Sequence, residues 1–148
     1  MSRRYAREDT FRIIFESLIN KMEKDDYLEN YFESVKNPVS DDGAFLNTDD
    51  KDDNDYVRRV VDGVLEKHVE LDKIIGENLR GWEVNRISKV SIAVLRLALF
   101  EIMYMDDVPM KVAINEAVEI AKRYDSRECA SFVNGALASA AKKLGIEE

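Results

Sequence analysis

Three arginines open the chain within five residues: Arg3, Arg4 and Arg7, with Tyr5 among them and Arg12 one turn further on. Guanidinium forks bind phosphate oxygens and stack on bases, so a short arginine-rich arm leading into a helix has the chemistry of an RNA-binding element. The competing reading of three such residues alone is a frayed, solvated terminus. A second candidate is an aromatic out of place. On the segment Ala130, Val133, Leu137, Ala140, Ala141, Leu144 the apolar residues form the stripe of a helix with one buried face. At about 100° per residue, Phe132 projects roughly 115° from the centre of that stripe, beside Gly135, Ser139 and Glu128. A large ring there either covers a seam between helices or offers a flat surface to a partner. Gly135 costs this helix about 1 kcal/mol relative to alanine, which implies close approach by another backbone, from a neighbouring helix or from RNA.

Other constellations read more simply. Asp50, Asp52 and Asn54 have the spacing that begins a calcium-binding loop. Asp55 stands where that loop needs its glycine and Val61 where it needs its bidentate glutamate, so a solvated loop is expected. Arg96 lies on an otherwise apolar helix and requires a carboxylate, with Glu101, Glu116 and Glu119 as candidates. Cys129 and His68 are single residues of their type, which leaves neither a disulfide nor a Cys/His metal site. Gly-rich phosphate loops, HExxH and GxSxG are all missing, and no catalytic set or cofactor site is predicted.

The elements that must position these residues follow from periodicity. Phe11, Ile14, Phe15, Leu18, Ile19 and Met22 mark a first helix, and Tyr27, Leu28, Tyr31, Phe32 and Val35 a second. From Asn37 to Asp53 the period disappears, and Pro38, Gly43 and the aspartates predict a long acidic, solvated loop whose removal leaves folding unchanged. Helical spacing resumes over Val57–Leu79 and stops at Arg80-Gly81-Trp82, with Trp82 expected as a plug at a helix end. Ile87 to Met105 is apolar on most sides, as a central helix should be. Pro109 precedes a final pair, the first member of which carries Ile114, Ala117, Val118, Ala121 and Tyr124 on its buried face. The expected architecture is all-α, a compact bundle of about seven helices forming a single domain over residues 1–148, with the acidic loop at about 37–53.

Composition sets outer bounds. The net charge of −8 counts against nucleic acid only until it is located: residues 23 to 55 hold twelve acids and three bases, and the remainder carries 19 bases and 18 acids. The rest of the domain is thus free to present a basic patch. No apolar run reaches the ~18 residues of a membrane span, and the N-terminus lacks the apolar core of a secretory signal. A reducing cytoplasm is the expected compartment for a chain with one cysteine.

The arm RRYARE, the helix VLRLALFE, the segment DVPMKVAINEAVEIAK and the closing FVNGAL closely resemble the NusB family of bacterial transcription antitermination factors. The likeness covers nearly the whole chain except the acidic loop. It implies an all-helical, non-enzymatic protein that binds the boxA element of nascent RNA together with the small-subunit ribosomal protein NusE. Acting indirectly on RNA polymerase with other elongation factors, such a complex lets ribosomal RNA operons be read through terminators. The resemblance puts the RNA-binding arm on Arg3, Arg4 and Arg7, the stacking phenylalanine on Phe132, the lysine of the next helix on Lys111 and an acidic position on Glu128. The face for the ribosomal protein falls on Phe15, Ile19 and Ser91. Tyr5 stands where some relatives have another arginine, Ser91 where an acid is usual, and Phe15 lacks a tyrosine's hydroxyl. Two other readings compete: a helical protein-interaction module without direct RNA binding, and a self-associating homodimer that hides its RNA face.

Overall fold

The computed structural model describes residues 3–20, 23–37, 45–46, 49–78 and 87–146. Six helices lie among them: α1 (Arg3–Ser17), α2 (Lys24–Lys36), α3 (Lys51–Glu77), α4 (Lys89–Tyr104), α5 (Met110–Tyr124) and α6 (Arg127–Lys143). No described residue is in a strand. The all-α expectation holds, with six helices among the described residues instead of about seven. The spacing from Val57 to Ile75 belongs to one uninterrupted helix, α3, because nothing between Leu65 and Leu71 breaks it, and Leu79 lies outside the described residues. Trp82 lies outside the described residues. By internal contacts the chain divides into two compact units, Met1–Leu65 and Glu66–Glu148, and α3 supplies residues to each.

In the first unit, Phe11, Ile14, Leu28, Tyr31, Val57, Val60, Val61 and Val64 are buried. Among them sits a charge: Asp9 is 0% exposed. A carboxylate withdrawn from water costs several kcal/mol unless its oxygens are answered by donors. The Tyr31 hydroxyl donates to Oδ2 at 2.9 Å and the Leu46 backbone N–H to Oδ1 at 2.8 Å. Beside this bond the Phe45 ring meets Tyr31 edge-on, centroids 4.6 Å apart, and the Arg12 guanidinium lies 4.9 Å over Phe45.

These contacts correct the picture of a purely solvated loop from Asn37 to Asp53. Phe45 and Leu46 are tied to α1 and α2, and from Lys51 the chain is helical. The aspartates prepare that helix. Asp50 Oδ2 accepts the Asp53 N–H at 3.1 Å in the manner of an N-cap, and Asn54 Nδ2 donates to Asp49 Oδ1 at 2.7 Å. Asp52 and Asp53 occupy the first turn, where the helix dipole favours negative charge. The spacing that resembles the start of a calcium loop is thus the spacing of a helix N-terminus.

In the second unit, α4 packs against α5 and α6, and α5 against α6. Every residue of α4 from Ala93 to Ile102 is buried, which is why its sequence is apolar all round. Arg96 interrupts that run and is held by Asp72 of α3 in a two-pronged pair, Nε to Oδ1 at 2.8 Å and Nη2 to Oδ2 at 2.7 Å. The partner is therefore none of Glu101, Glu116 or Glu119. It comes from a preceding helix, 24 residues away. Helix starts are fixed by Ser88, whose Oγ accepts the Ser91 N–H, by Pro109, and by Ser126, whose Oγ accepts the Cys129 N–H. Ala113, Ile114, Ala117, Ile120 and Ala121 form the buried face of α5, and Cys129, Ala130, Val133, Ala136, Leu137, Ala140 and Ala141 that of α6. Tyr124 and Leu144, expected on these faces, are exposed because each lies at or beyond the last helical turn.

Deleting residues 38–51 removes both the Leu46 donor and the Phe45 ring. It is expected to lower stability by about 1–3 kcal/mol, the usual cost of taking one hydrogen-bond partner away from a buried polar group. A deletion confined to 38–43 is expected to be nearly neutral. Chemical denaturation of the two shortened proteins beside the full chain checks this, and equal midpoints would show that the Asp9 bond contributes nothing.

Candidate nucleic-acid interface

The N-terminal arginines are part of α1, not of a flexible arm. Arg3 Nε donates to Asp53 Oδ1 at 3.1 Å, and its guanidinium lies 4.6 Å over the Tyr56 ring. Arg7, one turn on, faces the same ring at 5.7 Å and is only 4% exposed. Two of the three guanidinium groups are thereby fixed against α3, whereas Arg4 is exposed. Of the three arginines assigned to the arm, Arg7 belongs to the packing of the first unit. A salt bridge at a half-exposed site such as Arg3 to Asp53 contributes at most ~1 kcal/mol, so that guanidinium is readily exchanged to another anion.

The residues expected to face a protein partner divide by burial. Ile19 follows the end of α1 and is 56% exposed, and Phe15, half-buried, leans on Phe11 with centroids 6.0 Å apart. Ser91, in contrast, is 3% exposed. Its hydroxyl is within 3.1 Å of Ser88 Oγ and 2.9 Å of Cys129 Sγ. The place of Ser91 in a contact face is therefore corrected: the side chain is spent inside the second unit, at the start of α4. Burial pushes the Cys129 thiol up from its usual range, although the Ser91 hydroxyl works the other way, so this cysteine is a packed side chain and not a nucleophile.

The remaining candidates stand on α5 and α6. Lys111 is exposed in the first turn of α5. It lies thirteen residues before Tyr124, so ~20 Å of helix separate it from the turn where Glu128 begins α6. Glu128 is exposed and Phe132, one turn later, is half-buried, so these two share a side of α6 and Lys111 does not join them. Phe132 lines an open cleft of about 540 Å³ with Asn78, Gly135, Ser139 and Lys142. Behind the ring, Ser139 Oγ donates to Asn78 Oδ1 at 2.7 Å, while Asn78 Nδ2 donates to the Ile74 carbonyl at 2.8 Å. A second cleft of about 470 Å³, between α5 and α6, is lined by Lys122, Arg127 and Asn134. Ser131 borders both clefts.

An aromatic ring half-exposed at an open cleft, with ammonium and guanidinium groups along the same helix, can stack a base and neutralise phosphates. Of these residues Lys142 and Asn78 escaped the sequence reading. Lys142 could have been found, since seven residues after Gly135 it returns to within about 20° of the same face. Asn78 could not, because only the tertiary fold brings the end of α3 to α6.

Comparison with known proteins identifies the family. The sequence profile of the NusB family matches residues 4–142. The transcription antitermination protein NusB of Ruminiclostridium cellulolyticum is 38% identical over 142 residues, covering 96% of this chain and 90% of that protein. The Listeria monocytogenes protein of the same name is 38% identical over 141 residues, covering 95% and 97%. Among solved structures, T. maritima NusB superposes with a TM-score of 0.80 at 33% identity, covering 97% of this chain and 92% of that one. A structure of antitermination factors NusB and NusE in complex with dsRNA shares the fold, with a TM-score of 0.78, 20% identity and coverage of 95% and 96%. The helices, their order and the sequence across nearly all of their length place this chain in the NusB family.

Proposed function

We propose that this protein is a transcription antitermination factor that binds single-stranded, boxA-type RNA together with the ribosomal protein NusE and supports readthrough of ribosomal RNA operons. It acts without catalysis, in the cytoplasm, and reaches RNA polymerase indirectly through its partners. Its family carries the reading to antitermination. The observation that carries it to RNA is Phe132, held half-exposed at an open cleft that also contains Lys142. A structural relative was solved as NusB and NusE in complex with dsRNA, which supports a partnership with NusE and RNA here. For the protein partner, Ile19 and the half-buried Phe15 of the first unit are available, whereas Ser91 is buried in the second. No helix among the described residues is long and apolar enough to cross a membrane.

The test is a titration of boxA-type RNA, with an RNA duplex as control, in the presence and absence of NusE at two or more salt concentrations. Binding of the single strand, tightened by NusE, is the expected result. Phe132→Ala is expected to weaken it by about 1–3 kcal/mol, the usual worth of one base stacked on an aromatic ring, with an unchanged melting temperature. A large fall in melting temperature with RNA affinity intact would make Phe132 a packing residue.

The arginines are expected to separate. Arg4→Ala should reduce the slope of log K against log salt by about 0.7, the counterion release of one phosphate contact on a single strand, without loss of stability. Arg7→Ala should instead lower the melting temperature, because it empties a buried site and removes one of the two guanidinium groups on the Tyr56 ring. Equal effects of the two substitutions on slope would show that Arg7 leaves its buried position on binding.

A further inference from the structure

Gly135 lies in the middle of α6, where glycine forfeits about 1 kcal/mol against alanine. The benefit that offsets such a loss is close approach by another backbone. Among the described residues none makes that approach. A methyl group built at Gly135 would meet no atom within 4 Å, and the residue is exposed. Of the two sources of approach that the sequence left open, none of the six described helices supplies the first.

The surroundings show what could come from outside. Gly135 lies on the cleft of about 540 Å³ described above, within the ~300–1,000 Å³ of small-ligand sites. Phe132 borders it on one side and the Ser139–Asn78 pair on another. Asn78 is 8% exposed, and its amide is already held by Ile74 and Ser139. That wall is preorganised and selects by shape more than by hydrogen-bond pattern. Lys142 stands on the same face of α6 as Gly135, ~10 Å further along the axis. Toward the other end of the helix, Lys122 and Arg127 line the neighbouring cleft. Seven residues before Gly135 the same face carries the acid Glu128, so its positive charge lies at the Lys142 end, where the small residues Ser139 and Gly135 leave room for a strand that carries one negative charge per residue.

We propose that Gly135 is the point where the sugar–phosphate backbone of the bound single-stranded RNA lies directly on α6, with Lys142 holding an adjacent phosphate and Phe132 the neighbouring base. The strand therefore runs along α6 toward its C-terminal end. This rests on the RNA-binding function proposed above and adds its path and a residue that controls it. The missing side chain is the recognition element: a methyl group at this position takes the place that the strand requires.

The experiment is Gly135→Ala, measured by thermal melting and by titration with boxA-type RNA, beside Lys142→Ala. Because the substitution improves the helix and meets open space, the melting temperature should rise by roughly 2–4 °C. RNA affinity should fall about tenfold, or 1.4 kcal/mol. Lys142→Ala should lower the salt slope by about 0.7. Stability and affinity thus move in opposite directions, which no general loosening of the fold produces. Wild-type affinity in Gly135→Ala, with the intact protein binding the RNA, overturns this inference alone. Unchanged RNA affinity with a weakened NusE complex assigns Gly135 to the protein partner and overturns it as well. An intact protein that fails to bind the RNA removes both this inference and the function on which it rests.

Discussion

Asp9 has no exposure to water, and among the donors to its two oxygens are one side chain and one backbone group from different parts of the sequence. The Tyr31 hydroxyl comes from α2 and the Leu46 amide from the segment before α3, so a single carboxylate fixes three pieces of the first unit relative to one another. Hydrophobic burial is non-directional and would tolerate small slips among these pieces. Hydrogen bonds to a buried charge would not, because a slip leaves the carboxylate unanswered at a cost of several kcal/mol. Arg96 and Asp72 solve the corresponding problem in the second unit with charges of both signs, and there the fork geometry of the guanidinium sets the register of α3 against α4.

The helices were legible in the sequence to the degree that they repeat. Burial on one face writes a 3.6-residue period into α5 and α6, and burial all round writes a continuous apolar run into α4. Phe132 was legible for the same reason, as a departure from a period that its neighbours establish. What periodicity cannot encode is a contact made once. Phe45 and Leu46 belong to no stripe, and Leu46 contributes a backbone N–H that every residue except proline possesses. The partner of Arg96 was missed because three glutamates stand nearer in sequence than Asp72 does. Ser91 was misplaced because its fate depends on Cys129, 38 residues away.

The acidic segment shows how composition can mislead when read without position. Its aspartates suggest either a solvated loop or a cation site, and several of them turn out to be spent at the start of a 27-residue helix. There they accept N–H groups that have no partner within the helix and face the positive end of its dipole. Their charge is partly neutralised in place. The net charge of −8 is thus concentrated in one segment of the chain, and α6 carries cations of its own.

Cys129, enclosed between α4 and α6 and hydrogen-bonded to Ser91, is the single thiol of the chain. Attack by alkylating reagents and peroxides proceeds through an accessible thiolate, and this thiol is neither accessible nor acidic. The protein is thus naturally silent to maleimide chemistry. A cysteine introduced on the open side of α6, at Ser131 for instance, would be the one reactive handle in an otherwise unaltered background. A fluorophore attached there would sit at the border of the two clefts and report directly on whatever enters either of them.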